Sequence, residues 1–154
     1  MEKIKANSGN DPQQIALACY NYILQHFEYD PELLYLMNYA GLEDTTDAYR
    51  CWVNRTGVCD EFATMFCSMM RCAGVPARPV AGICHTPMPA SEVASEAKVK
   101  LPVGIGANDV ILTAGLHAWA EYYLPDIGWI PVEPTWGLGN EEEPTTPFLS
   151  QMAS

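Results

Sequence analysis

The stretch RTGVCDEFATMF, Arg55 to Phe66, sets a cysteine directly after a Thr-Gly-Val turn and directly before a helical apolar pattern. Phe62, Ala63, Phe66, Met69, Met70 and Ala73 recur at the spacing of one helix face, and Gly74-Val75-Pro76 is a strong stop. Cys59 therefore opens the clearest helix of the chain. A helix N-terminus carries partial positive charge and unpaired N–H groups, which favour an anion such as a thiolate. Free cysteine is also a common buried apolar residue, so position alone leaves both roles open.

Around this helix the chain has the pattern of a mixed fold. Asp11-Pro12 is a helix start, followed by QQIALACYNYILQHF with Ile15, Cys19, Tyr22, Ile23 and His26 near one face. Residues 28–52 predict a short extended piece, a turn and two short helices, with Asp44 or Thr45 capping the second. ARPVAGIC, 77–84, predicts a strand. GLHAWAEYYL, PDIG and WIPVEPTWG predict a strand, a turn and a returning strand, a hairpin over 115–137. Between them, residues 85–108 predict a long loop excursion with one helical turn around Val93 to Ala97. Connections of that length are uncommon in compact domains and are often functional.

At 154 residues the chain is read as one domain, 1–154, with a core over about 45–137 and an acidic, Pro- and Thr-rich tail over 138–154. The hydrophobic share of 49% and charged share of 18% are globular in character. The net charge is −11, and no Lys or Arg follows Lys100. Such a surface offers a phosphate backbone no electrostatic footprint, so no nucleic-acid partner is expected. No segment has the apolar length to insert into a membrane, and the first residues carry no signal peptide pattern. Both a cytoplasmic protein and an excised domain of a larger one fit that reading, and oligomeric state stays open. The six cysteines include no C-x-x-C and no Cys/His cluster at zinc spacing, so neither a metal nor a cofactor is expected.

The candidate chemistry lies in three residues: Cys59, His117 and Glu133. A thiol nucleophile needs a base, and the base needs a partner that fixes its tautomer. In the predicted hairpin, His117 and Glu133 fall on adjacent strands with side chains on one face. Read alone, His117 is more often a structural histidine. The neighbouring pair Cys84-His85 is a poorer dyad, because consecutive strand residues point to opposite faces.

At these residues the sequence resembles the transglutaminase-like superfamily of cysteine enzymes. RTGVCDEFATMFCSMMRCAGVPARPVAGI is similar to the family's nucleophile helix running into a Gly-Val-Pro-Ala-Arg turn and strand. LHAWAEYYLPDIGWIPVEPTWG is similar to its His-Ala-Trp strand, Gly-Trp turn and acid-Pro-Thr strand. The resemblance covers roughly Arg50 to Gly137. It implies an α+β, papain-like core, with N-terminal helices and the nucleophile-bearing helix packed on an antiparallel sheet. It also implies acyl transfer through a thioester, with Cys59 as nucleophile, His117 as acid and base, and Glu133 as orienter. The implied partner is a protein or peptide substrate, with amide hydrolysis the leading reaction. A catalytically inactive binding or scaffold domain and an amine-transferring crosslinker are the alternatives.

The family's third position is normally aspartate, and here it is Glu133. Asp60 and Glu61 raise a second question, since acids beside the sulfur disfavour a thiolate. A protonated His117 at contact distance would outweigh them, because helix-dipole effects are only about 0.3–1 kcal/mol. The Cys59 N–H is the natural first oxyanion donor. Trp52 and Asn54 are available for the second, although a core role suits Trp52 equally. Trp119 and Trp136 fit both a cleft wall and simple packing, and Arg55, Arg71 and Arg78 have surface or ion-pair readings.

Overall fold

The computed structural model describes residues 9–39, 47–96 and 98–137. Their elements in chain order are α1 (Pro12–His26), β1 (Glu28–Tyr29), α2 (Pro31–Tyr39), α3 (Ala48–Asn54), β2 (Thr56–Gly57), α4 (Cys59–Cys72), β3 (Ala77–Pro89), α5 (Ala90–Glu96), β4 (Val110–Leu124) and β5 (Gly128–Val132). The class is α+β, as the sequence predicts. The described residues fall into two compact units, one within Met1–Ala81 and Ala118–Ser154, the other Gly82–His117.

In the larger unit, helix ends follow their capping residues. The Asp11 carboxylate accepts the Gln13 N–H at 3.0 Å and Pro12 fills the first position of α1, where a missing N–H costs nothing. Helix α3 is capped by Asp47, which accepts the Tyr49 N–H at 2.9 Å. The expected caps Asp44 and Thr45 lie outside the described residues, as does the tail over 138–154. Helix α4 ends at Cys72 with Ala73 as its C-cap, and Gly74 turns the chain with φ of 88°.

The core is built where the apolar faces meet. Ile15, Cys19 and Ile23 of α1, Cys51 of α3, Phe62, Phe66 and Met70 of α4, and Ala120, Tyr122 and Val132 of the sheet join one buried cluster. Helix α4 packs against α1 and α3, so it is the central element of this unit. Two ladders complete the fold. The order β3-β4-β5 forms one sheet, with β4 and β5 antiparallel from Ala120↔Val132 to Leu124↔Gly128. Gly128, with φ of 108°, closes that hairpin. The second ladder is short and parallel: Glu28 pairs with Thr56 and Tyr29 with Gly57.

Strand β5 ends at Val132, five residues earlier than the hairpin pattern suggests. Pro134 has no N–H to give a ladder, and the Glu133 side chain turns inward to the Thr135 N–H instead.

The smaller unit is more regular than its sequence suggests. The stretch expected as an excursion over 85–108 begins inside β3, which runs to Pro89, and continues into α5. Three prolines, at 79, 87 and 89, obscure β3 as a strand, and they are tolerated because it lies at the edge of its sheet. The expected turn near Val93 falls within α5. Ala90 and Ser91 donate to the carbonyls of Asp109 and Ala107 at 2.8 and 3.0 Å, which ties the start of α5 to the start of β4.

Candidate active site

Cys59 is the first residue of α4, as the opening stretch predicts, and its side chain is half-buried. Three other cysteines behave as apolar filling. Cys19, Cys51 and Cys67 are fully buried, and burial pushes their thiols up to about 12, about 12 and about 11. Cys59 thus differs from them in being within reach of solvent at a helix mouth, where the first N–H groups have no intrahelical acceptor.

The turn that delivers Cys59 leaves no spare volume. A Cβ on Gly57 would sit 2.9 Å from Glu61 Cβ and 3.2 Å from Cys51 Sγ. Only glycine fits there without moving the start of α4. Arg55, one residue before the turn, adopts a left-handed backbone with φ of 63° and ends α3. Its guanidinium lies over the Trp52 ring at 4.2 Å and the Phe27 ring at 5.0 Å. Its carbonyl accepts the Glu28 N–H at 2.9 Å, so the same residue also anchors β1.

The two acids behind the sulfur are not equivalent. Glu61 is buried, its Oε2 accepts the Val58 N–H at 3.0 Å, and its Oε1 lies 3.6 Å from Arg50 Nη2. Its charge is spent on the helix start and on a guanidinium, which eases the conflict posed by the sequence. The Val58 side chain has no acceptor, so the capping box is made from the Glu61 side alone.

Glu133 follows β5 and is buried, with Oε1 accepting the Thr135 N–H at 2.8 Å. Its charge also reaches Tyr20, whose phenol is raised first by burial and then by this carboxylate. His117 is buried in β4 and is the last residue of the smaller unit.

The remaining candidates sort by packing. Trp52 stacks on Tyr22 at 5.8 Å as well as under Arg55, which is the packing role. Arg71 donates to the Ala77 carbonyl at 2.8 Å. Arg78 pairs with Glu121 at 2.8 Å and lies over Trp129 at 4.1 Å. Trp119 is half-buried and Trp136 exposed. Cys84 and His85 both lie in β3. Among the described residues no cluster of His, Cys, Asp and Glu has the makings of a metal site.

One residue beside the turn that precedes Cys59 escaped the sequence reading. Tyr29, opposite Gly57 in the parallel ladder, has its phenol pushed up to about 12 by burial, then by the charges of Cys59, Glu61 and Asp30. Thirty residues separate it from Cys59, and no local spacing rule links them.

Known proteins resemble this chain in sequence and in fold. The sequence model of the transglutaminase-like superfamily matches residues 2–134. The chain is 30% identical over 131 residues to a protein-glutamine gamma-glutamyltransferase of Pseudomonas aeruginosa, covering 84% of this chain and 17% of that protein. It is 30% identical over 104 residues to the uncharacterized protein YebA of Bacillus subtilis, covering 68% of this chain and 13% of YebA. The chain therefore spans under a fifth of the length of either relative. Among solved structures, the ethylmercury-bound periplasmic domain of TgpA from Pseudomonas aeruginosa superposes with a TM-score of 0.57 at 23% identity, covering 90% of this chain and 42% of that domain.

Proposed function

The chain belongs to the transglutaminase-like superfamily, and on that premise we propose that it performs cysteine-dependent acyl transfer on peptide or isopeptide-type amides. Cysteine-based acyl transfer is the general chemistry of that superfamily. The observation that carries the proposal for this chain is the placement of Cys59. Its sulfur is half-buried at the mouth of the central helix, after a turn that admits only glycine.

In this reading Cys59 Sγ attacks the amide carbonyl, and His117 takes the thiol proton and returns it to the leaving amine. Glu133 fixes the tautomer of His117. The C–N bond breaks, a thioester on Cys59 remains, and water releases the acid. A second acceptor, a primary amine, is favoured by the name of the Pseudomonas aeruginosa relative, a protein-glutamine gamma-glutamyltransferase.

The test is incubation of the protein with a peptide library, with and without an added primary amine, followed by mass spectrometry. Cleaved or deamidated peptides mark hydrolysis, and amine adducts mark transfer. Both should vanish in Cys59→Ala. Products that survive Cys59→Ala, or none from the wild type, would overturn the proposal and leave a non-catalytic binding domain as the reading.

A further inference from the structure

The β3–β4 ribbon of the smaller unit has two edges of different character. Ala90 N–H donates to the Asp109 carbonyl at 2.8 Å, which turns the Asp109 backbone toward β3. In an antiparallel ladder the backbone groups of successive residues point to opposite neighbours. Those of Ile111, Thr113 and Gly115 therefore face β3, and those of Val110, Leu112, Ala114 and Leu116 face away from it. The Thr113 hydroxyl, 3.6 Å from Met88 Sδ, fits this register, in which Met88 lies across from Ile111 and diagonal to Thr113. On the side away from β3, strand β5 pairs with β4 only from Ala120 to Leu124. Among the described residues, no strand takes the N–H and C=O groups of β4 between Val110 and Leu116. The outer edge of β3 is guarded instead. Its outward positions are 83, 85, 87 and 89 by the same alternation, and Pro87 and Pro89 have no N–H to offer. The open edge of β4 has no proline. Its residues Val110, Leu112 and Leu116 share one face and are 70%, 69% and 91% exposed. The chain carries a net charge of −11, yet residues 82–89 and 110–117 hold no Asp, Glu, Lys or Arg. Two acidic chains can meet on this ribbon without like charges facing each other.

We propose that the open edge of β4 pairs with the same edge of a second copy of the chain, joining two ribbons into one sheet in the order β3-β4-β4-β3. The sequence of the edge suits a two-fold axis at Thr113. Antiparallel pairing about that residue sets Val110 opposite the partner's Leu116 and Leu112 opposite the partner's Ala114. Each outward N–H then meets a carbonyl of the other copy. On the opposite face Ile111 meets the partner's Gly115, and Thr113 meets its own counterpart. Large residues thus fall across from smaller ones, and every cross-strand pair is uncharged. A strand from another protein would need no such symmetry. The contact is isologous and closes on itself. Assembly stops at two copies because the edges left outside belong to β3, where Pro87 and Pro89 stand. Nothing in this pairing depends on the chemistry of Cys59.

Sedimentation equilibrium of the full chain, from micromolar to millimolar concentration, should show a mass that rises from one chain to two and no further. Ala114→Pro removes an N–H that faces the open edge and leaves the groups facing β3 in place. It should raise the dissociation constant of the dimer about tenfold or more. His85→Pro makes the same change on the guarded edge and should dimerise like wild type. Thr113→Cys should link two copies under mild oxidation through a 113–113 disulfide, read by peptide mass spectrometry. Residues opposite in a non-hydrogen-bonded pair lie about 4.5 Å apart at Cα, within disulfide reach. A chain that stays monomeric at millimolar concentration overturns the proposal and leaves the edge to a strand of another protein. Growth beyond the dimer overturns it as well, since the β3 edge would then pair too. So does a dimer that Ala114→Pro fails to weaken. Should Ala114→Pro lose its circular dichroism spectrum, Thr113→Cys decides, because a dimer without the 113–113 disulfide uses another face.

Discussion

The Glu61 carboxylate folds back onto the Val58 N–H, 3.0 Å away, and so closes the turn that presents Cys59. The acid that threatened the nucleophile in the sequence thus serves to hold it. Arg50 lies 3.6 Å from the other oxygen, and the carboxylate is 2% exposed while the guanidinium is 38% exposed. Breaking this arrangement leaves a buried N–H without an acceptor. Glu61→Ala should cost about 1–3 kcal/mol in urea denaturation. Glu61→Gln, which keeps an acceptor for Val58, should cost less than half of that. Equal losses would show that the charge rather than the hydrogen bond supports the helix start.

Gly57→Ala tests the same turn from the opposite side. The new Cβ would meet Glu61 Cβ at 2.9 Å, which is no flexible side-chain tip and gives way only if α4 moves. The expected loss is about 1–3 kcal/mol, typical of overpacking. Cys59 alkylation should change as its helix shifts. A variant as stable and as reactive as wild type would show that the turn has room.

Alkylation should sort the cysteines by environment. In the native protein, Cys19, Cys51 and Cys67 are buried with raised thiols and should label only when denaturant is added. Cys59, Cys72 and Cys84 have exposed or half-buried side chains and should label without it. His117→Ala should slow Cys59 selectively and leave Cys72 at its wild-type rate, as peptide mass spectrometry would read. If Cys59 and Cys72 respond alike, His117 does not act on the nucleophile.

Replacement of Glu133 separates charge from geometry. Glu133→Gln still presents an oxygen to the Thr135 N–H, the 2.8 Å bond seen here, so thermal stability should be nearly unchanged. Activity should fall by roughly 10² or more, because the amide can offer the imidazole a donor where an acceptor is needed. Glu133→Asp keeps the charge and should lose about tenfold at most. A full loss in Glu133→Asp with little loss in Glu133→Gln would remove the orienting role.

Alkaline pH should destabilise the protein in a defined window. Thiols ordinarily at 9.0 are raised to about 11 or 12 in Cys19, Cys51 and Cys67, and the phenol of Tyr122, ordinarily at 10.0, to about 12. Above about pH 9 the unfolded chain releases these protons first and the native chain binds more, so stability falls as pH rises. This contribution is complete below the unfolded values and is lost through about pH 12. A melting temperature that stays flat from pH 9 to 12 would contradict the burial of these groups.

The sequence by itself determined the elements that depend on near neighbours. Asp11-Pro12 starts α1, Gly74 ends α4, and the strand-turn-strand pattern around Pro125 to Gly128 closes β4 on β5, because caps, turns and face periodicity act over a few residues. The same local logic put Cys59 at a helix mouth and made Glu133 and His117 candidates. Local reading failed where a distant partner decides. Prolines 87 and 89 look like strand breakers until an edge position excuses them, and Pro134 looked compatible with a strand until its lost N–H ended one. Only the tertiary structure decided that the buried Glu61 carboxylate also meets Arg50 of α3. Only it brought Tyr29 beside Gly57, since their parallel pairing joins segments nearly thirty residues apart. Such pairings follow from how the buried faces of α1, α3 and α4 settle against one another, and no window of sequence contains all three.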